Sequence, residues 1–195
     1  MRRSHTPFPT RPAVTGALLL LLAAAGPARA ATPADVETAE AFIDAFYSFD
    51  PARLKALLSD ADETAARILY YQGWAEGGNY KVVDRGACAI GDDDRVHCPI
   101  TVEDDPVKML GTGFNVTDTF HLSFEDGRIA HIETSSNDQP IYYEARKWVE
   151  ENLPELIAEP CKDRGTAAGT PAECARAMTE GYRRFAASND FPGTP

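Results

Sequence analysis

The sequence predicts an α+β fold, with helices first, antiparallel strands next and helices again at the end. Three observations carry this. Apolar residues recur at helical spacing from Val36 to Ile68, they alternate as in strands between Tyr80 and Thr134, and helical spacing returns after Asn137-Asp138.

The elements follow in order. Thr32-Pro33-Ala34-Asp35 is a helix start, with a threonine cap, proline in the first turn and an acid three residues after the cap. Val36, Ala39, Ile43, Phe46 and Tyr47 then form one face. Asp50-Pro51 restarts the chain as a short helix with Leu54, Leu57 and Leu58 inward. Asp60 or Asp62 is expected to cap a third helix, in which Ala65, Ile68, Leu69 and Gln72 share a face and which Gly77-Gly78 stops. Tyr80–Ile90 and Arg95–Val102 read as a hairpin about Gly91-Asp92-Asp93-Asp94. Pro106–Gly113 breaks the sheet with a helical turn. Phe114–Phe124 places Phe114, Val116, Phe120, Leu122 and Phe124 on one face, and Arg128–Thr134 returns after Glu125-Asp126-Gly127, which gives four strands in all. Ile141, Ala145, Trp148, Val149 and Leu153 form a further helical face that Pro154 ends or kinks. Thr170-Pro171-Ala172-Glu173 repeats the opening cap pattern ahead of Cys174, Ala177, Met178 and Phe185.

Residues 1–30 have the order of a cleavable export signal. Arg2, Arg3 and Arg11 precede an apolar run, Ala17 to Ala25, and the small-x-small site Ala28-Arg29-Ala30 follows. The run is shorter than the roughly 20 apolar residues of a membrane span. Ser4-His5-Thr6 lacks the apolar pair of a twin-arginine signal, so ordinary export to a bacterial periplasm or the exterior is expected. The predicted plan is residues 1–30 as leader, 31–138 as an α+β domain, 139–187 as a C-terminal helical extension packed on it, and 188–195 as a loose tail.

The whole chain carries a net charge of −11; the leader holds four of the 19 basic residues and none of the 30 acidic ones, so cleavage would leave −15. So acidic a surface repels nucleic acid and anionic membranes. Four cysteines remain, and an even count in an exported chain favours disulfides. Of the three pairings, Cys88–Cys98 is expected because the two flank the acidic turn, and Cys161–Cys174 because they flank a loop between helical segments. Zinc is the alternative, since His97 adjoins Cys98, but neither C-x-x-C nor paired-histidine spacing is present. No cofactor or metal is implied.

The segment Ala41-Phe42-Ile43-Asp44-Ala45-Phe46 with Asp50 and Leu54, the run Val116-Thr117-Asp118-Thr119-Phe120, and Phe124-Glu125-Asp126-Gly127-Arg128-Ile129 resemble the nuclear transport factor 2-like superfamily, particularly its SnoaL-like members. The resemblance spans Phe42 to about Thr134. It implies a strongly curved sheet wrapped round the helices as a cone, often with a pocket, and often a homodimer. That family usually places a strand between its second and third helices, and none is evident between Leu58 and Ala65. The helical pair after Asp138 is an addition, placed to cover the cone's mouth or a sheet face.

Asp118 is the leading candidate for chemistry. Alternation puts it on the apolar face with Val116 and Phe120, where desolvation raises a carboxyl pKa and suits it to acid–base work; the structural alternative is a polar anchor hydrogen-bonded within the core. Tyr47, Tyr70, Trp74 and Phe120 are the candidate ligand-binding aromatics. Tyr47 stands on the first helix, where ketosteroid isomerase-like relatives carry an oxyanion-donating tyrosine, but that catalytic set is not carried over, since the family's general base lies near the strand not evident here. As plain packing, these rings would fill the helix–sheet core. His97, His121 and His131 fall on successive strands, but His97 and His121 alternate away from the apolar face, so pairing either with Asp118 is disfavoured. Asn115-Val116-Thr117 is a glycosylation sequon within a strand, and Asp92-Asp93-Asp94 lacks the ligand spacing of a calcium loop. Two functions are expected from these residues. One is a module that binds a small apolar molecule or a partner without catalysis. The other is a cofactor-independent isomerase, dehydratase or cyclase using Asp118.

Overall fold

The computed structural model describes residues 30–166 and 168–193. The leader reading falls, apart from Ala30, outside the described residues. Three helices open the chain: α1 (Pro33–Phe46), α2 (Pro51–Leu57) and α3 (Asp62–Gly77). Strands β1 (Lys81–Arg85), β2 (Ala89–Ile90) and β3 (Val96–Glu103) follow, then one turn of helix α4 (Asp105–Lys108). Strands β4 (Val116–Glu125) and β5 (Arg128–Ser136) precede α5 (Pro140–Asn152), α6 (Pro154–Ile157) and α7 (Pro171–Ala186).

The predicted cap at Thr32 forms as a reciprocal box, with Thr32 N and Oγ1 donating to Asp35 Oδ2 at 2.8 and 2.7 Å. The echo at Thr170 does not: its hydroxyl donates instead to the Pro160 carbonyl at 2.9 Å, tying α7 to the preceding loop. At α3 the cap is Ala61, neither of the expected aspartates, and Asp62 stands in the first turn. Gly78 does not stop α3 in the left-handed conformation glycine usually supplies; the chain turns one residue later at Asn79, φ 54°.

The sheet is antiparallel in the order β1-β3-β4-β5, with β2 also on β3. It therefore has five strands, one more than expected. Pro99 explains the extra break. It sits in the middle of β3 and has no N–H to return, so the facing chain keeps one bond there, Gly86 N to the Pro99 carbonyl at 3.0 Å, and rejoins the ladder only at Ala89. Gly86 passes this point so closely that a Cβ there would lie 2.7 Å from Pro99 Cγ. Both expected disulfides form. Cys88–Cys98 spans this break, and Cys161–Cys174 closes the loop ahead of α7.

Burial alternates without exception along β3 and through most of β4, so Val96, Cys98, Ile100 and Val102 face inward with Val116, Asp118, Phe120, Leu122 and Phe124. Onto this face pack α1 and α3. Phe120 meets Phe42 and Phe46 edge-on at 5.4 and 4.9 Å between centroids. Gln72 of α3 donates to the carbonyls of Ala45 and Phe46, both at 3.0 Å, which also accept from Ser48 Oγ and Phe49 N, so the end of α1 is tied to α3. Arg67 donates to the Ile132 carbonyl at 2.6 Å, fixing α3 to β5.

A second core joins Leu110, Ala145, Val149, Cys174, Met178, Tyr182 and Phe185, and α7 there lies across α3 and α5. The approach is glycine-dependent, since a Cβ on Gly73 would lie 2.5 Å from Pro171 Cγ and one on Gly77 2.3 Å from the Ala172 carbonyl oxygen. Beyond α7, Trp148 Nε1 donates to Asp190 Oδ2 at 2.7 Å and Phe191 packs edge-on against Phe185.

Candidate functional site

A cavity of about 360 Å³ opens where α3, the inner face of the sheet and α5 converge. That is within the size range of small-molecule sites, about 300–1,000 Å³. Helical spacing on α3 supplies Tyr70, Tyr71 and Trp74; β4 supplies Val116 and Asp118; α5 supplies Tyr142, Tyr143 and Arg146. Tyr80 and Asp138 come from the junctions before β1 and α5, and Arg164 from the disulfide-closed loop. Five of the chain's seven tyrosines line this one space.

Asp118 is 5% exposed, and the Tyr71 hydroxyl donates to its Oδ2. Burial pushes its pKa up to about 6, Tyr71's hydrogen bond works against the rise, and the negative charge of Asp138 adds to it. Burial likewise holds the Tyr71 phenol well above its ordinary value, with the Asp118 charge adding to the effect, so Tyr71 acts as a donor across the working pH range.

A second buried carboxyl stands nearby. Asp104, 2% exposed, caps α4 by accepting from Val107 N at 2.9 Å through Oδ1, while Oδ2 has no hydrogen-bond partner. Burial raises its pKa to about 7; the Val107 hydrogen bond opposes this, and the charges of Asp118, Asp138 and Asp105 add to it. Asp138 is held by Ser136 Oγ at 2.5 Å and Tyr143 Oη at 3.1 Å. Arg146 Nε and the Arg164 guanidinium share one acceptor, Glu150 Oε1, at 3.4 and 3.2 Å. Their positive field acts against the burial that raises the Tyr70 pKa; Arg146 acts in the same sense on Tyr142 and Tyr143, where the charge of Asp138 opposes it.

Of the candidates read from sequence, Asp118, Tyr70 and Trp74 meet in the cavity. Tyr47 and Phe120 do not line it. Phe120 is fully buried among Phe42, Phe46 and Tyr71 as core. Tyr47 packs edge-on against Phe46, and its enclosed hydroxyl has no hydrogen-bond partner, so the tyrosine that reaches Asp118 is Tyr71, two helices further on in α3.

The histidines are elsewhere. His121 Nδ1 meets His97 Nδ1 at 2.9 Å, His97 Nε2 meets Asp93 Oδ1 at 2.6 Å, and His121 Nε2 meets Ser135 Oγ at 2.8 Å. This chain occupies the outer face of the sheet, opposite Asp118, as strand alternation requires. Burial and the neighbouring His97 and Arg95 lower the His121 pKa.

Sequence reasoning missed Asp104, Asp138, Tyr142, Tyr143, Arg146 and Arg164. A signal existed for three of these, because Tyr142, Tyr143 and Arg146 stand three and four residues apart and so share one side of a helix. The others need the tertiary fold. Among the described residues, no group of three or more His, Cys, Asp or Glu is placed to hold a metal ion, and no helix is long and apolar enough to cross a membrane. Compared with protein-family models, curated proteins and solved structures, the chain gives no match.

Proposed function

We propose that this chain is an exported small-molecule-binding domain of the nuclear transport factor 2-like kind, its sheet curved round the helices as a cone and its C-terminal helices set as a helical hairpin. The observation that carries the reading is the cavity itself. It is ligand-sized, walled by aromatic rings and floored by a buried carboxyl whose pKa is displaced, a combination typical of binding sites. The lining has charged groups of both signs, so the ligand is amphipathic, which refines the small apolar molecule expected from sequence.

The test uses Trp74 as reporter. The chain has two tryptophans, so a Trp148→Phe protein leaves Trp74 alone. Neutral, cationic and anionic compounds of cavity size are titrated while its fluorescence is followed. At least one should perturb the emission saturably, and Val116→Phe, which fills the cavity, should abolish the response. Absence of any saturable response, or a response unchanged by Val116→Phe, sinks the reading.

One observation favours a second reading. The Tyr71–Asp118 hydrogen bond together with a carboxyl pKa near neutrality is the equipment of an acid–base pair. In an isomerase, dehydratase or cyclase, Asp118 would move the proton and a tyrosine would stabilise developing negative charge. Solvent-deuterium incorporation at carbon in a bound carbonyl compound, catalysed by the protein and lost in Asp118→Asn, would establish it; binding with no exchange leaves the chain a binding module.

A further inference from the structure

We infer that the cavity receives a small zwitterion, its ammonium group against Asp118 and its acidic group at Arg146 and Arg164. This rests on the pocket reading above and specifies the chemistry of its ligand.

The surroundings of Asp118 suit a positive charge, and among the described residues none acts on its carboxyl. Around Asp118 stand Tyr47 at the C-terminal cap of α1, Tyr71 of α3, Tyr80, Ser136 of β5, and the acids Asp104 and Asp138. Among the described residues no basic side chain pairs with Asp118, and the charge acting on it is a further carboxylate. A buried carboxylate without a counter-ion costs free energy that a bound cation would recover. The walls are aromatic, and aromatic faces attract organic cations more strongly once water is excluded.

The cavity also holds the opposite sign, away from Asp118, since neither Arg146 nor Arg164 is among the groups that act on its carboxyl. Arg146 and Arg164 share the single carboxylate of Glu150, which leaves a surplus positive charge there. A guanidinium pair is suited to a carboxylate or phosphate. The cavity of about 360 Å³ would hold the equivalent of about a dozen waters at roughly 30 Å³ each, enough for a compact zwitterion.

The experiment titrates four probes into the Trp148→Phe protein: choline, its uncharged carbon isostere 3,3-dimethylbutanol, phosphocholine and inorganic phosphate. Phosphocholine should bind tightest. Choline should bind about tenfold more weakly than phosphocholine and about tenfold more tightly than 3,3-dimethylbutanol, each step reflecting one charged contact. Asp118→Asn should remove the preference for choline over its isostere. A double Arg146→Gln, Arg164→Gln variant should bring phosphocholine down to the affinity of choline. If 3,3-dimethylbutanol binds as tightly as choline, or phosphate as tightly as phosphocholine, the inference is overturned while the pocket reading stands. If none of the four binds but a neutral aromatic such as indole does, the outcome is the same. If no compound of any charge perturbs Trp74, both fall together.

Discussion

Replacing Asp118 by asparagine should stabilise the protein at neutral pH and do nothing to its stability in mild acid. The buried carboxyl has its pKa raised from an ordinary 3.8 to about 6, chiefly by burial. Because the folded-state pKa lies above the unfolded one, the unfolded chain gives up this proton first as pH rises. Asp118 therefore contributes fully to stability below about pH 4 and loses that contribution as pH climbs through 6. The displacement corresponds to about 3 kcal/mol at pH 7.5. Asparagine keeps an acceptor for the Tyr71 hydroxyl and cannot ionise, so it removes only this loss. Urea denaturation of both proteins from pH 4 to 7.5, followed by circular dichroism, reads the difference directly. The gap should be near zero at pH 4, open between pH 4 and 6, and reach about 3 kcal/mol at 7.5, or roughly 6–12 °C in melting temperature for a domain of this size. Exposed acids whose pKa values are depressed by ion pairs, such as Glu103, Glu133 and Glu180, are common to both proteins and cancel. A gap that does not change with pH, or an asparagine variant less stable at 7.5, would refute the claim that this carboxylate is buried against its preference.

Three further outcomes follow from the same geometry. Tyr71→Phe removes the hydrogen bond that opposes burial, so the Asp118 carboxyl should titrate above 6 in a carbon-13 NMR titration; a lower value would show that Tyr71 is not its donor. Gly77→Leu brings side-chain atoms against the Ala172 backbone and should cost about 1–3 kcal/mol by urea denaturation, whereas an unchanged midpoint would mean α3 and α7 are not in close contact. Removing Cys161 and Cys174 together opens a closure of 13 residues and should cost about 3 kcal/mol. It should also speed tryptic cleavage after Arg164, and equal cleavage rates would show that the disulfide does not order that loop.

The strand grammar was the most legible part of the sequence. Val116, Asp118, Phe120, Leu122 and Phe124 alternate so regularly that the inward face of β4 can be named residue by residue, and the structure has that face. The disulfides were legible for a related reason, since a short turn or loop brings its flanks together whatever the rest of the chain does. The break between β1 and β2 was not, because it depends on Pro99 sitting opposite, a fact of register and not of local composition. Gly73 and Gly77 were likewise opaque. A glycine that ends a helix and one that admits a neighbouring helix look the same in one dimension, and here Gly77 does the second.

At the site the division is sharper. Asp118 announced itself as an ionisable residue in an apolar register, a local contradiction of the kind that marks functional positions. Its neighbours broke no local rule. Tyr142, Tyr143 and Arg146 are ordinary members of an amphipathic helix, and Arg164 is an ordinary loop arginine, until α5 and the disulfide-closed loop bring them to the same opening. The charges lining the cavity thus come from different parts of the chain: the carboxylates from β4 and the junction before α5, the arginines from α5 and the disulfide-closed loop. If the proposed zwitterion binds, substitutions at Arg146 and Arg164 should alter which acidic group is accepted without moving the Asp118 pKa, since neither arginine is among the groups that shift it. Substitutions around Tyr71 should do the reverse. Measuring the carboxyl titration and the phosphocholine-to-choline affinity ratio on the same variants separates the two, and any arginine variant that moves both would show that the two sets of charges are coupled.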